Sequence, residues 1–119
     1  MATHNDLGKE GEQQALTYLK HKGYEILDVN WRGRRGELDI VALFANRLVI
    51  VEVKTRTSLN HGEPQFFVDD SKIKKIVKTA DEYICSNNRL EEARFDIIGV
   101  YKHRDTWELN HIEDAFYYF

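Results

Sequence analysis

The chain has 119 residues, 42% of them hydrophobic and 31% charged, with a formal net charge of −3. That length supports one domain around a single core and not two, and the mild acidity argues against a whole-surface nucleic-acid binder while leaving room for a local basic patch. A single cysteine, Cys85, excludes an internal disulfide and a zinc centre built from several thiolates. There is no apolar run of membrane-spanning length and no signal-peptide core at the polar N-terminus. The expectation is one cytoplasmic domain over residues 1–119, with no membrane partner.

From about Asp6 to Lys22, Leu7, Gly11, Ala15, Leu16 and Leu19 recur at helical spacing, and Gly23 is placed to end the helix. Glu12 falls on or beside that apolar stripe, where a carboxylate needs a partner or a path to solvent. Gly8 and Gly11 would let the helix approach a sheet closely. Tyr24 to Asn30 reads as a first strand. A basic segment follows, Trp31-Arg32-Gly33-Arg34-Arg35-Gly36, expected to be a mobile loop. Arginines beside an aromatic can hold phosphates and stack on bases, and the alternative is a solvated turn.

Two runs rich in β-branched residues come next, Gly36 to Ala42 and Leu48 to Arg56, joined by Leu43–Arg47 with Asn46 as the turn residue. They read as a hairpin. Strand side chains alternate between faces, so Glu52 and Lys54 share a face, as do Glu37 and Asp39. Charges in so apolar a stretch are costly unless paired, metal-bound or at a cleft edge. Two readings stand side by side: an ion-paired, half-solvated sheet face, or a site.

Thr57 to Val68 reads as a loop carrying His61, Pro64, Phe66 and Phe67. A helix is expected over 71–85, with Ile73, Ile76, Val77, Ala80, Tyr83 and Ile84 on its core face and Cys85 buried or partly buried. Lys72, Lys74, Lys75 and Lys78 crowd its first half, against the helix dipole. Strands at 93–101, containing Asp96, and 107–112 follow, separated by a turn. The aromatic end, Ala115 to Phe119, would close the core or meet another subunit. The order αβββαββ predicts an α/β domain with a mixed sheet flanked by helices.

Gly36-Glu37-x-Asp39, followed by Val51-Glu52-Val53-Lys54-Thr55-Arg56, resembles the PD-(D/E)XK nuclease superfamily. More closely, the chain resembles the YraN-like family of uncharacterised bacterial proteins, itself similar to archaeal Holliday-junction resolvases. The likeness extends through Gly8-x-x-Gly11-Glu12-x-x-Ala15, Tyr18-Leu19, Gly23-Tyr24, Asn30, the basic helix near Lys72 and Arg94-x-Asp96. It implies a restriction-endonuclease-like fold with the site where the hairpin strands part. The implied activity is Mg²⁺- or Mn²⁺-dependent hydrolysis of phosphodiester bonds in DNA, branched DNA included. On that resemblance Asp39 and Glu52 would bind the metal, with Glu12 as a third ligand. Lys54 would orient the attacking water or stabilise developing charge, and Glu37 would tune Lys54 or hold a metal-bound water. Arg56, Arg32, Arg34, Arg35, Lys72 and Lys75 are the candidate phosphate contacts. The resolvases act as dimers, which makes a homodimer an expectation. Two other classes stay open: a nucleic-acid-binding module on a nuclease scaffold, and a protein-interaction domain using the aromatic C-terminus.

Overall fold

The turn between the two β-branched runs is made by Ala45 and Asn46, both at positive φ (50° and 65°). This is the backbone a two-residue hairpin connection requires. Around it the computed structural model, which describes residues 4–57 and 68–116, builds an α/β domain. Its elements are α1 (His4–His21), β1 (Glu25–Arg32), β2 (Glu37–Phe44), β3 (Arg47–Thr57), α2 (Asp70–Ser86), β4 (Glu92–His103) and β5 (Thr106–Phe116). The strands form one mixed sheet in the order β1-β2-β3-β4-β5, and the αβββαββ arrangement is that of a restriction-endonuclease-like fold. Only β3 and β4 run parallel. A parallel neighbour needs a crossover, and α2 lies within it.

Alternation along β3 sorts the core. Leu48 and Ile50 pack with Ile76, Ala80 and Tyr83 of α2, while Val49 and Val51 pack with Ala15, Leu16 and Leu19 of α1. Each helix thus covers one face, and Glu52 and Lys54 continue the α2 side of β3. Phe116 stacks on Phe95 with ring centroids 5.2 Å apart, so the aromatic end closes the core as far as it is described. His61, Phe66 and Phe67, with Tyr117 to Phe119, lie outside the described residues. Cys85 is exposed rather than buried: the inward stripe passes through Ile76, Ala80 and Tyr83 and leaves Cys85 on the outer side of the last turn.

The Arg94-x-Asp96 pair is buried on the α1 face. Asp96 accepts from Arg94 Nε (2.9 Å) and Nη2 (2.7 Å) and from the Asp114 amide (3.0 Å), and His111 Nε2 lies 2.7 Å away. Burial opposes charge on Asp96, but the contacts with His111, Arg94 and Asp114 outweigh it and hold the carboxyl below its ordinary range. Tyr18 of α1 reaches the other ring nitrogen of His111 at 3.0 Å. The network therefore ties α1, β4 and β5 together, and its polar groups are satisfied where an unpaired one would be costly.

Gly11 lies where α1 meets β3. A Cβ there would collide with the side chain of Thr55, which is β-branched and stiff, whereas a Cβ on Gly8 would meet nothing within 4 Å. Gly11→Ala is expected to lower stability by about 1–3 kcal/mol, as overpacking does. Gly8→Ala should raise it by up to about 1 kcal/mol through helix propensity. Urea denaturation of the two variants checks the pair; equal effects would contradict the close approach.

Candidate functional site

The ladder between β2 and β3 runs from Phe44↔Arg47 to Ile40↔Val51 and stops. Beyond it β2 stays with β1 as far as Arg32↔Glu37, and β3 stays with β4 as far as Thr57↔Lys102. The sheet therefore splits, and Asp39 and Glu52 are the first residues past the fork. The Asp39 side chain fills the place of the missing ladder bond: Oδ2 accepts the Val53 amide at 2.8 Å.

Two clefts meet at Asp39. One, about 540 Å³, opens toward α2 between Arg32, Arg34, Glu37, Glu52, Lys72 and Lys75, with Thr79 and Ile76 at its floor. The other, about 730 Å³, opens toward α1 between Lys9, Glu12, Asn30 and Thr55. Arg32, Glu37 and Asp39 belong to both.

Charge is concentrated at the fork. Burial, then the neighbouring Glu52 carboxylate, push the Asp39 carboxyl up to about 7, against the Val53 hydrogen bond that pulls it down. Glu52 is 7% exposed and is held by two ammonium groups, Lys72 Nζ at 3.3 Å and Lys54 Nζ at 3.8 Å. Burial keeps the Lys54 ammonium below its ordinary value; attraction to Glu52 offsets part of this, while Lys72 and Arg56 add to it. Burial works against Lys72 too, but Glu52 and Asp39 outweigh it and raise Lys72. Lys72 is placed by the start of its helix, where Asp69 caps α2 by accepting the Lys72 amide at 2.8 Å.

The other sequence-predicted residues fall around this centre. Glu12 finds its partner in Asn30, whose amide donates to Oε1 at 2.8 Å. Burial raises the Glu12 carboxyl, the Asn30 bond lowers it in part, and Glu37 raises it further. Glu37 pairs with Arg32 at 3.4 Å rather than with Lys54, because the split carries it away with β1. Arg56 is exposed, bonds the Thr55 carbonyl and lines neither cleft. Arg35 lies outside both, in a hollow that also includes Lys75. Among the described residues no group of three or more His, Cys, Asp or Glu side chains gathers closely enough to hold a metal ion.

The basic segment is shorter and better held than its glycines suggested. It connects β1 and β2 through Gly33–Gly36, closed by the Gly33 amide on the Gly36 carbonyl at 2.8 Å. The Arg34 amide donates to both Glu82 oxygens, at 3.0 and 3.1 Å. Glu82 of α2 has no local signal for this role, since its partner is a main-chain group 48 positions away.

The domain is thus of the restriction-endonuclease-like fold class, with its sheet split beside Asp39 and Glu52. The family model for the uncharacterised protein family UPF0102 matches residues 11–100, from α1 through β4, a span that includes Glu12, Glu37, Asp39, Glu52, Lys54 and Lys72. The chain belongs to this family. It is 53% identical to a UPF0102 protein of Flavobacterium psychrophilum and 44% identical to one of Christiangramia forsetii, each over the full length of both chains. With a UPF0102 protein of Caldanaerobacter subterraneus it shares 48% identity over 92% of this chain and 93% of that one. No helix among the described residues is long and apolar enough to cross a membrane.

Because the folded carboxyl of Asp39 titrates above its ordinary value, the native state holds a proton there that the unfolded chain releases from about pH 4 upward. Asp39 therefore costs stability increasingly as pH rises to about 7, and fully above it. Asp39→Asn should be more stable than the parent at pH 8 in a chelator, on the order of 1–3 kcal/mol, with the gap closing toward pH 4. Denaturation of both proteins across that range checks the sign; a gap independent of pH would contradict it.

Proposed function

We propose that this protein is a metal-dependent nuclease acting on DNA. The observation that carries the reading is the pair at the fork, half-buried Asp39 and buried Glu52, mutually repulsive, with Lys54 and Lys72 against them. A plain structural sheet has no use for carboxylates arranged at such cost. The donor set suits Mg²⁺ or Mn²⁺: hard oxygens, few in number, beside open space for water and substrate phosphate. Asp39 and Glu52 would hold the ion, with Glu12 close enough to add to the charge that Asp39 feels. Bound there, the ion would polarise the phosphate and lower the pKa of a coordinated water.

The chain's own groups supply the rest. Lys54, with its ammonium destabilised by burial, is suited to orient a water or answer charge developing on the phosphate. Arg32, Arg34, Lys72 and Lys75 line the α2 cleft and would bind the backbone on either side of the cut. Glu37 would orient Arg32. Symmetric cutting of a branched duplex would call for two copies of the chain.

One feature favours a second reading, a nucleic-acid-binding module without catalysis. Lys72 and Lys54 already neutralise Glu52, and among the described residues no third acidic ligand is gathered beside the pair.

A cleavage assay separates the two. Linear, flapped and four-way-junction DNA are incubated with Mg²⁺ or Mn²⁺ and with parent, Asp39→Asn or Lys54→Ala protein. The nuclease reading expects cutting by the parent, and a loss of at least about 100-fold in each variant, the usual scale for a proton-handling or charge-stabilising group. Calorimetry should show metal binding lost in Asp39→Asn and kept in Lys54→Ala. Binding without cutting by the parent would move the function to the module.

A further inference from the structure

Beside the α2 cleft lies a smaller hollow lined by Arg35, Ser71, Lys74, Lys75 and Lys78. Among the described residues it has four cationic side chains and no acidic one, in a chain whose net charge is −3. A lysine run on a helix is ordinarily a solvated face. Three observations set this one apart.

First, two separate elements build it. Arg35 comes from the β1–β2 connection, and the lysines come from α2. The connection is pressed onto the helix: a Cβ on Gly36 would lie 2.8 Å from Thr79 Oγ1 and 3.5 Å from Lys75 Cγ and Cε. Glu82 fixes the same connection through the Arg34 amide. Arg35 is thereby carried on a held turn to the side of the lysines.

Second, the charge is unpaired among the described residues. Lys74 follows Asp70 by four residues and Lys78 precedes Glu82 by four, spacings at which helical ion pairs form. Yet among the described residues Arg35, Lys74, Lys75 and Lys78 make no ion pair. Glu82 is turned instead to the Arg34 main chain. Lys74 and Lys78 also stand four apart on one helix, a repulsive spacing for like charges.

Third, the hollow adjoins the α2 cleft. Lys75 lines both, so a polyanion lying across Asp39 and passing Lys72 and Lys75 meets Arg35, Lys74 and Lys78 next.

We propose that this hollow is a second phosphate subsite, which holds the nucleic-acid backbone flanking the phosphate at Asp39 without reading its sequence. Lys74, Lys78 and Ser71 join the interface, and Arg35 acts here rather than in the central cleft. The inference rests on the nuclease or nucleic-acid-binding reading of the neighbouring cleft, and it is a binding role separate from the chemistry.

The test compares the parent, Lys74→Ala/Lys78→Ala and a control, Lys20→Ala, which removes an exposed charge from α1 on the other sheet face. Affinity for a short labelled duplex and for its single strand is measured across a salt series in chelator, where cutting is off. Removing two phosphate contacts should reduce the slope of log Kd against log salt by about 1.8 for a duplex, or about 1.4 for a single strand. The difference shows which form of backbone lies in the hollow. The double variant should keep its thermal stability or gain a little, and in the presence of metal it should raise KM while leaving kcat unchanged. A parent-like slope in the double variant, with the parent binding normally, overturns the subsite alone. So does a loss in Lys20→Ala of about half that size, the share of one charge out of two, which would reduce the effect to overall charge. A parent that binds neither DNA form overturns this inference together with the reading it rests on.

Discussion

One hydrogen bond, from the Val53 amide to Asp39 Oδ2, stands where the sheet would otherwise continue to zip. An edge amide left unpaired in a half-buried place is costly. Here a side chain rather than the opposite strand satisfies it, so β2 and β3 can diverge. The divergence lets Asp39 and Glu52 line the α2 cleft while Ile40 and Val51, one step back, remain fully buried. The carboxylate that makes the fork possible is thus also the group that bears its electrostatic cost, lifted to about 7 by burial and by Glu52. Opening and charge are one local arrangement, and both clefts follow from it.

Helix α2 supplies the opposite sign. Its cap at Asp69 sets the first turn and with it Lys72, whose ammonium reaches Glu52 more closely than Lys54 does. Lysines in a first turn oppose the helix dipole. Their placement makes sense against the acidic fork on one side and, in the proposed nuclease, a substrate polyanion on the other. The acidic total of the chain and its basic clefts are compatible because the two signs are segregated: carboxylates at the fork, cations along α2 and the β1–β2 connection. The buried Arg94–Asp96–His111 network belongs to neither cleft and serves to fasten β5 and α1 to the sheet.

What was legible in the sequence was what local periodicity encodes. The hairpin turn at Asn46, the alternation that puts Glu52 and Lys54 on one face, and the αβββαββ order all depend on neighbours within a few positions, and the structure has them. The inward stripe of α2 was legible in the same way, although Thr79 joins it and Cys85 does not. The rest depends on contacts between distant segments. Glu37 is the exception, since its partner Arg32 stands only five positions away across the β1–β2 connection, but nothing near Glu82 tells that it will hold the Arg34 amide. Glu12 could be recognised as needing a partner, but Asn30 arrives only once β1 is laid beside α1. The fork itself was anticipated from family likeness and not from periodicity, because a ladder ends for reasons of three-dimensional pairing that a two-residue repeat does not contain.

The central claim is that the forked carboxylates form a divalent-cation site. Paramagnetic broadening by Mn²⁺ tests it most directly, since the ion bleaches amide resonances near itself whether or not any DNA is cut. In an isotope-labelled sample titrated with Mn²⁺, signals of residues 38–40 and 52–54 should fade first, those of the Ala45–Asn46 turn at the far end of the hairpin should persist, and Asp39→Asn should abolish the pattern. Broadening that is scattered over the surface, or that is unchanged in Asp39→Asn, would contradict the site and with it the nuclease account.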